Sequence, residues 1–140
     1  MAKEQDSGPV EQWPQEEIPN ECHLFLRVHK NNMREDGLPT AGAFRNIPKG
    51  VGGMSTDWDR YSDAWQTRLR ARSPQDNAVL SLNAGDVRKV PNQRVQHTPD
   101  TARENRAHTD VFGPKGPEER LLLTRLARMV IPQPTPVKEA

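Results

Sequence analysis

Apolar and polar residues alternate most regularly in residues 23–29, His-Leu-Phe-Leu-Arg-Val-His. Because successive side chains of a strand point to opposite faces, the aliphatic residues share one face, and the arginine shares the other with the histidines. This period of two predicts the first strand of a sheet. A shorter alternation in residues 43–47 predicts a second strand.

Helical spacing replaces this alternation in two later segments. A capping pattern at Thr56 and Asp59 predicts a helix that runs to about residue 72. Its apolar stripe recurs at helical spacing and is expected in the core: Trp58, Tyr61, Trp65 and Leu69. Residues 117–131 begin with Pro-Glu-Glu, which is typical of a helix N-terminus. They predict a second amphipathic helix, with one apolar face made of Leu122, Leu123, Leu126, Ala127, Met129 and Val130.

The remaining segments are short. Residues 78–82, 94–97 and 108–112 predict strands, residues 84–89 predict one or two helical turns, and residues 98–106 predict a loop. Mixed short strands with two amphipathic helices indicate an α+β domain. We therefore expect a small mixed or antiparallel sheet packed against two amphipathic helices, with disordered tails.

Composition sets the limits of this domain. Only 33% of the 140 residues are hydrophobic, and several of the 13 prolines lie near the two ends of the chain. Segments that bury little apolar surface do not offset the entropy of ordering. We expect a flexible acidic arm over residues 1–20, a single domain over residues 21–131 and a flexible proline-rich tail over residues 132–140.

The small net charge of +1 conceals a basic domain beside an acidic arm. Such an excess of Lys and Arg suggests an anionic partner for the domain, or an arm that folds back over it. The excess falls short of the clustered basic stripe of a nucleic-acid binder, so we expect another protein as partner, with an anionic ligand or nucleic acid as the alternative. A lone cysteine excludes an internal disulfide and a thiolate metal cage, and the four histidines lack metal-site spacing, so we expect no metal and no cofactor. The chain shows no secretory leader and no apolar run of about 20 residues, which predicts a cytoplasmic protein of bacterial or phage type without membrane contact.

Arg27 and His29 share one face of the first predicted strand, and Arg45 lies on the second. Arginine forms two-pronged contacts with phosphate or carboxylate, and histidine moves protons near neutral pH. A solvated strand face explains the same residues without a site. His108, at the start of a late strand, is the histidine expected to face inward beside His29.

A glycine-rich stretch, residues 49–56, adds a possible anion site at its Lys49 and at the backbone amides of the helix predicted to follow. It lacks the Gly-Lys-Ser/Thr ending of a P-loop, and a flexible connection before a capped helix is the alternative. Ser55 and Asp57 lie at its end. Ser55 acts as a nucleophile only if a histidine reaches it from elsewhere in the fold.

Four short motifs resemble those of a widespread set of small uncharacterised bacterial proteins, and the resemblance covers most of residues 22–131. They are Leu26-Arg27-Val28-His29, Ala43-Phe44-Arg45, Ser55-Thr56-Asp57-Trp58 and Asn105-Arg106-Ala107-His108. This resemblance implies no activity. The chain is also remotely similar to ADP-ribosyltransferase-like folds, in which a first-strand Arg or His precedes a Ser-Thr-Ser strand step and a late acidic or polar residue. Arg27 or His29 and Ser55-Thr56 match the first two, and Asp57 replaces the last serine of the step.

Two functions follow from these features. The first is a non-catalytic inhibitor, immunity or assembly component that binds another protein. The alternative is a nucleotide- or nucleic-acid-directed enzyme, ADP-ribosyltransferase-like or phosphodiester-cleaving. In that enzyme Arg27, Arg45 and Lys49 bind the anionic ligand, and the candidate catalytic residues are His29 and His108 as acid and base, with Ser55 and Asp57 orienting the substrate.

Overall fold

A computed structural model describes residues 13–47 and 52–132. Six strands form one antiparallel sheet: β1 (His23–His29), β2 (Met54–Trp58), β3 (Asn77–Asn83), β4 (Arg94–His97), β5 (His108–Phe112) and β6 (Arg128–Ile131). Their order is β4-β5-β2-β1-β3-β6. The α-helices are α1 (Ala64–Leu69), α2 (Ala84–Lys89) and α3 (Pro117–Leu126), and short 3-10 helices cover Lys30–Asn32, Ala41–Ala43 and Pro74–Asp76. The α+β expectation is confirmed, with the sheet in its antiparallel form.

One face of the sheet carries the main apolar core. The aliphatic residues of β1 lie there, as their alternation predicts, together with residues of the neighbouring strands. Helices α2 and α3 cover this face through Val87 and Leu123, and Phe44 from the segment after β1 packs into the same cluster. Burial of these side chains is the main stabilising contribution to so small a domain.

The opposite face of the sheet is mostly polar, and only part of it is covered. Helix α1 packs on β1, β3 and β6, where Ala64, Val79, Ile131 and Phe25 form a small second apolar cluster. Since α1 does not extend across β2 and β5, the polar side chains of those strands face a cavity.

The helix predicted to begin at Thr56 is wrong, because residues 54–58 form strand β2. Thr56 is buried, and its hydroxyl donates to the Thr109 carbonyl instead of capping a helix. Helix α1 begins later, where Asp63 and Gln66 form the capping box. Trp58 lies on strand β2, Tyr61 in a turn and Trp65 in helix α1. Their helical spacing therefore does not mark a single element.

The expected aromatic stripe is therefore only partly in the core. Trp58 is buried, but Trp65 is 61% exposed and Leu69 is 70% exposed on the outer side of α1. A helix that packs on a sheet presents only one of its sides to it. Its inward side is instead made by Ala64 and Thr67.

Two further boundaries differ from the sequence expectation. Residues 43–47 form no strand: Ala43 ends a 3-10 helix, and Phe44 inserts into the core. Helix α3 ends at Leu126, and residues 128–131 extend to pair with β3. Backbone pairing with the open edge of β3 overrides the helical pattern there, and Met129 and Val130 are exposed rather than on a buried helix face.

Residues 13–20, here named the N-terminal strap, pack on the domain. Ile18 is buried in the main core, the backbone N–H of Glu16 donates to His97 Nδ1 at 3.0 Å, and the Tyr61 hydroxyl donates to the Glu16 carboxylate. The folded region thus extends N-terminal to residue 21, the expected boundary. The rest of the expected arm, residues 1–12, and the expected tail from residue 133 lie outside the described residues.

We predict that Leu123→Ala lowers the free energy of unfolding by about 2–5 kcal/mol, because it leaves a cavity in the main core. Leu69→Ala is the matched control and changes it by less than about 0.5 kcal/mol, because that side chain is already in solvent. Urea unfolding of both variants measures the difference. Equal losses would contradict the assignment of Leu69 to the outer side of α1.

The hydrogen bond from Tyr61 lowers the pKa of Glu16 below its ordinary value of 4.5, and Arg60, His97 and Arg106 lower it further, against a smaller opposing effect of burial. A carboxyl with a depressed folded pKa stabilises the fold above pH 4.5, and this contribution is lost as pH falls through the folded value.

We predict that Glu16→Gln lowers the melting temperature at pH 7 and that the difference from wild type disappears in acid. Glu17→Gln, an exposed neighbour, is the control; if it behaves like Glu16→Gln, the strap contact is not the cause.

Candidate functional site

A cavity of about 330 Å³ opens on the polar face of the sheet. Its walls come from β1, β2, β5, the end of α1 and the loop of residues 98–106. The lining residues are charged or polar: Arg27, Ser55, Asp57, Arg70, Asp100, Arg103, Asn105 and His108. A concave site with several titratable side chains is where ligand binding is expected.

The register of the strands brings these distant residues together. In the pairing of β2 with β5, Ser55 lies opposite Asp110 and Asp57 lies opposite His108. Residues directly opposite in an antiparallel pair share a face, so all four side chains project to the same side of the sheet. Phe25 lies opposite Asp57, which places Arg27, two residues on, on that face as well.

The two central strands separate beside this cavity. β1 pairs with β2 only at Leu24–Trp58 and Phe25–Asp57, although β1 pairs with β3 along its whole length. A second cavity of about 140 Å³ lies where the strands diverge, and Arg27, Ser55 and Asp57 line both cavities. Central strands normally pair throughout, so this opening exposes backbone hydrogen-bonding groups to any ligand that enters it.

Ser55 and His108 form a hydrogen-bonded pair, with 2.9 Å between Ser55 Oγ and His108 Nε2. On the other side of the ring, His108 Nδ1 lies 2.9 Å from the Thr98 carbonyl oxygen. A carbonyl oxygen only accepts, so in the neutral ring Nδ1 carries the proton and Nε2 accepts from the Ser55 hydroxyl. This is the arrangement of a hydroxyl nucleophile, or a hydroxyl that positions water, with its general base.

Asp57 is 3% exposed and is surrounded by donors. Its Oδ2 accepts from Thr67 Oγ1 at 2.8 Å and from Arg70 Nη1 at 2.7 Å, and its Oδ1 accepts from Asn105 Nδ2 at 2.8 Å. The carboxylate therefore connects β2 to α1, to the residue that follows α1 and to the loop before β5. We infer that it positions the walls of the cavity.

Arg27 is the arginine that lines both cavities. It is half-buried, and its Nη1 donates to the Thr67 carbonyl at 3.0 Å. Burial lowers the pKa of Arg27, Asp57 opposes this, and Arg70 and Arg103 lower it further. Because an arginine stays protonated under such shifts, a fixed positive charge faces both cavities.

One wall of the second cavity is formed by residues 43–47, the segment that carries Arg45. Lys115 fixes this segment, because its Nζ donates to Asn46 Oδ1 and to the Gly113 carbonyl, both at 2.8 Å. Burial lowers the pKa of Lys115 to about 8. Arg45 itself is exposed at the rim, where it can contact an anion that enters from solvent.

The candidate residues from the sequence are partly brought together. Arg27, Ser55, Asp57 and His108 line one cavity, and Arg45 lines the adjoining one. His29 lines neither of them; its Nδ1 accepts from the Asn31 backbone N–H and caps a 3-10 helix. Lys49 lies outside the described residues.

Sequence reasoning assigned no role to six residues of this site. Four of them line the cavity: Arg70, Asp100, Arg103 and Asn105. The other two, Thr98 and Asp110, form a hydrogen-bonded chain to His108 Nδ1. Asp110 follows His108 at a spacing of two in a predicted strand, and this pattern indicated a shared face. Thr98 carried no such signal, because it belonged to a segment predicted as a loop.

Comparisons with protein-family models, with curated proteins and with solved structures find no match. Within residues 13–47 and 52–132 no helix has the length and apolar character needed to cross a bilayer. The same residues contain no group of three or more His, Cys, Asp or Glu side chains arranged to hold a metal ion. The site is therefore interpreted from its own geometry.

We predict that Asp57→Asn destabilises the protein by about 1–3 kcal/mol, because an amide nitrogen replaces one of two buried oxygens that accept hydrogen bonds from Thr67, Arg70 and Asn105. Ser55→Ala is the control on the same strand face and costs less than about 1 kcal/mol, because it removes one partly exposed hydroxyl. Chemical unfolding measures both. An Asp57→Asn protein as stable as wild type would contradict the positioning role of this carboxylate.

Proposed function

We propose that the protein is an enzyme that acts on a nucleotide, with chemistry of the ADP-ribosyltransferase-like kind that its sequence resembles. The observation that carries the proposal is the Ser55–His108 pair beside the fixed charge of Arg27, in a cavity at the point where β1 and β2 separate. The pair supplies a proton acceptor, and the arginine supplies a phosphate contact.

The positions of the motif residues support this reading. The resemblance rests on a first-strand Arg or His, a Ser-Thr-type strand step and a late polar residue. Arg27 is on β1 and Ser55-Thr56 is on the neighbouring strand β2, so the two matched positions are adjacent in the sheet. The late position has no matching glutamate in this chain, and His108 on β5 is the titratable residue beside Ser55. Asp57 departs from the serine of that step, and its carboxylate is engaged by Arg70 and Asn105.

In the proposed reaction the substrate is NAD, and its diphosphate contacts Arg27, with Arg45 at the rim. The bond between the ribose carbon and the nicotinamide nitrogen breaks, and nicotinamide leaves with the bonding electrons. A hydroxyl or water forms the new carbon–oxygen bond and gives its proton to His108 Nε2. Ser55, which lies 2.9 Å from that nitrogen, orients the acceptor or relays the proton.

A second function, binding to another protein, is favoured by a different observation. Trp65 and Leu69 are exposed and occupy adjacent turns of α1. Exposed aromatic and aliphatic side chains that adjoin one another are typical of interaction surfaces. In this alternative the protein is the inhibitor, immunity or assembly component expected from its small size.

To test the enzymatic proposal, we would titrate the protein with ADP-ribose by calorimetry and measure nicotinamide released from NAD by chromatography. Arg27→Lys should weaken ADP-ribose binding at least about tenfold, because lysine lacks the planar fork that contacts phosphate. His108→Gln should retain binding and lower nicotinamide release by about 100-fold or more, because it removes the base.

Arg128→Lys is the matched control, because that arginine is exposed on β6 and lies outside both sets of cavity-lining residues. It should leave binding and release unchanged. A wild-type protein that neither binds ADP-ribose nor releases nicotinamide would refute the nucleotide proposal. Full activity in His108→Gln would refute the role of the Ser55–His108 pair.

A further inference from the structure

A buried carboxylate is connected to the Nδ1 side of the His108 ring, opposite to the Nε2 that contacts Ser55. Asp110 is 7% exposed, and its Oδ2 accepts from Thr98 Oγ1 at 2.8 Å. The fold makes room for it with Gly53, where an added Cβ would lie 2.7 Å from the Asp110 Cβ. Any side chain at residue 53 would displace this carboxylate.

The hydroxyl of Thr98 joins Asp110 to the imidazole. Thr98 Oγ1 lies 3.0 Å from His108 Nδ1, and the carbonyl oxygen of the same residue lies 2.9 Å from that nitrogen. Because an ionised aspartate only accepts, the Thr98 hydroxyl donates to Asp110 and its lone pair receives the Nδ1 proton. The hydrogen bonds then run in one direction: Ser55 donates to His108, His108 donates to Thr98, and Thr98 donates to Asp110.

We propose that Thr98 and Asp110 are a positioning pair that fixes the tautomer of His108 and stabilises its protonated form. When a proton moves from Ser55 Oγ, or from a water that Ser55 orients, to His108 Nε2, the O–H bond breaks and the N–H bond forms. The ring becomes cationic while Nδ1 keeps its proton. The negative charge of Asp110, one hydroxyl away, offsets that cation.

Other charged groups face the same cavity: Arg27, Asp57, Arg70, Asp100 and Arg103. Asp57 is paired with Arg70 at 2.7 Å, and Asp100 lies 3.9 Å from Arg103. Arg27 opposes protonation of the ring. Asp110 is thus the acid that is connected to the imidazole through a single hydroxyl, that of Thr98.

The test is ¹⁵N NMR of the full chain, with His108 assigned by its absence in His108→Gln. We expect the Nδ1–H tautomer in the neutral wild-type ring. We also expect the share of this tautomer to fall in Asp110→Asn, since the Thr98 hydroxyl is then no longer held as a donor to a carboxylate and can donate to Nδ1 instead. Thr98→Val should give a similar fall, and Thr98→Ser should retain the wild-type value because it keeps the hydroxyl. Asp86→Asn, on α2, is the control and should leave the tautomer share unchanged.

If Asp110→Asn does not fold, the comparison of Thr98→Val with Thr98→Ser still decides the question. An Nε2–H tautomer in wild type, or identical tautomer shares in wild type, Asp110→Asn and Thr98→Val, would overturn the proposal. The consequence for catalysis rests on the proposed function, but the NMR result does not need a substrate. If the His108 tautomer responds to the substitutions as expected but no nicotinamide is released, the enzymatic proposal alone is refuted. If nicotinamide is released but the tautomer does not respond, the proposed positioning pair alone is refuted.

Discussion

The buried carboxylate of Asp57 is the interaction on which the polar side of this protein depends. A short helix, a strand and a loop meet there without an apolar core between them, and three donors from Thr67, Arg70 and Asn105 converge on one side chain. A buried charge is stable only when it is paired and hydrogen-bonded. The elements that provide these donors are therefore held in one arrangement, and the cavity beside them has a defined shape.

This arrangement follows from how few apolar residues the chain has. They are concentrated on one face of the sheet, under α2 and α3, and only a small cluster around Val79 remains for the other face. Helix α1 packs on that cluster and therefore covers only the part of the face formed by β1, β3 and β6. The rest of the face, on β2 and β5, is left to polar side chains that are stabilised by hydrogen bonds, and these are the groups that can carry chemistry.

Much of the sheet could be predicted from the sequence, because β1 shows the period of two and β3 contains a compact apolar run bounded by polar residues. β2 could not, since the capping pattern at Thr56 and the aromatic spacing after it favoured a helix. Ser55 and His108 were recognised separately as candidates. Their contact depends on the register of β2 with β5, 53 residues apart in sequence, and no local pattern encodes that register. Thr98 could not be recognised as a site residue either, because its contact with His108 also depends on the folded arrangement and not on a local pattern.

The loop of residues 98–106 shows how the fold itself aligns the site. Thr98 bonds to His108 and Asp110, Asn105 bonds to Asp57, and the Arg106 carbonyl accepts from the buried His97. The Arg106 guanidinium also lies 3.5 Å from the Glu16 carboxylate of the N-terminal strap. A loop fixed at its beginning, at its end and from the strap has little freedom to move. The 2.9 Å contact between Ser55 and His108 is therefore a property of the folded chain, and a base that is oriented in advance needs no rearrangement when a proton must move.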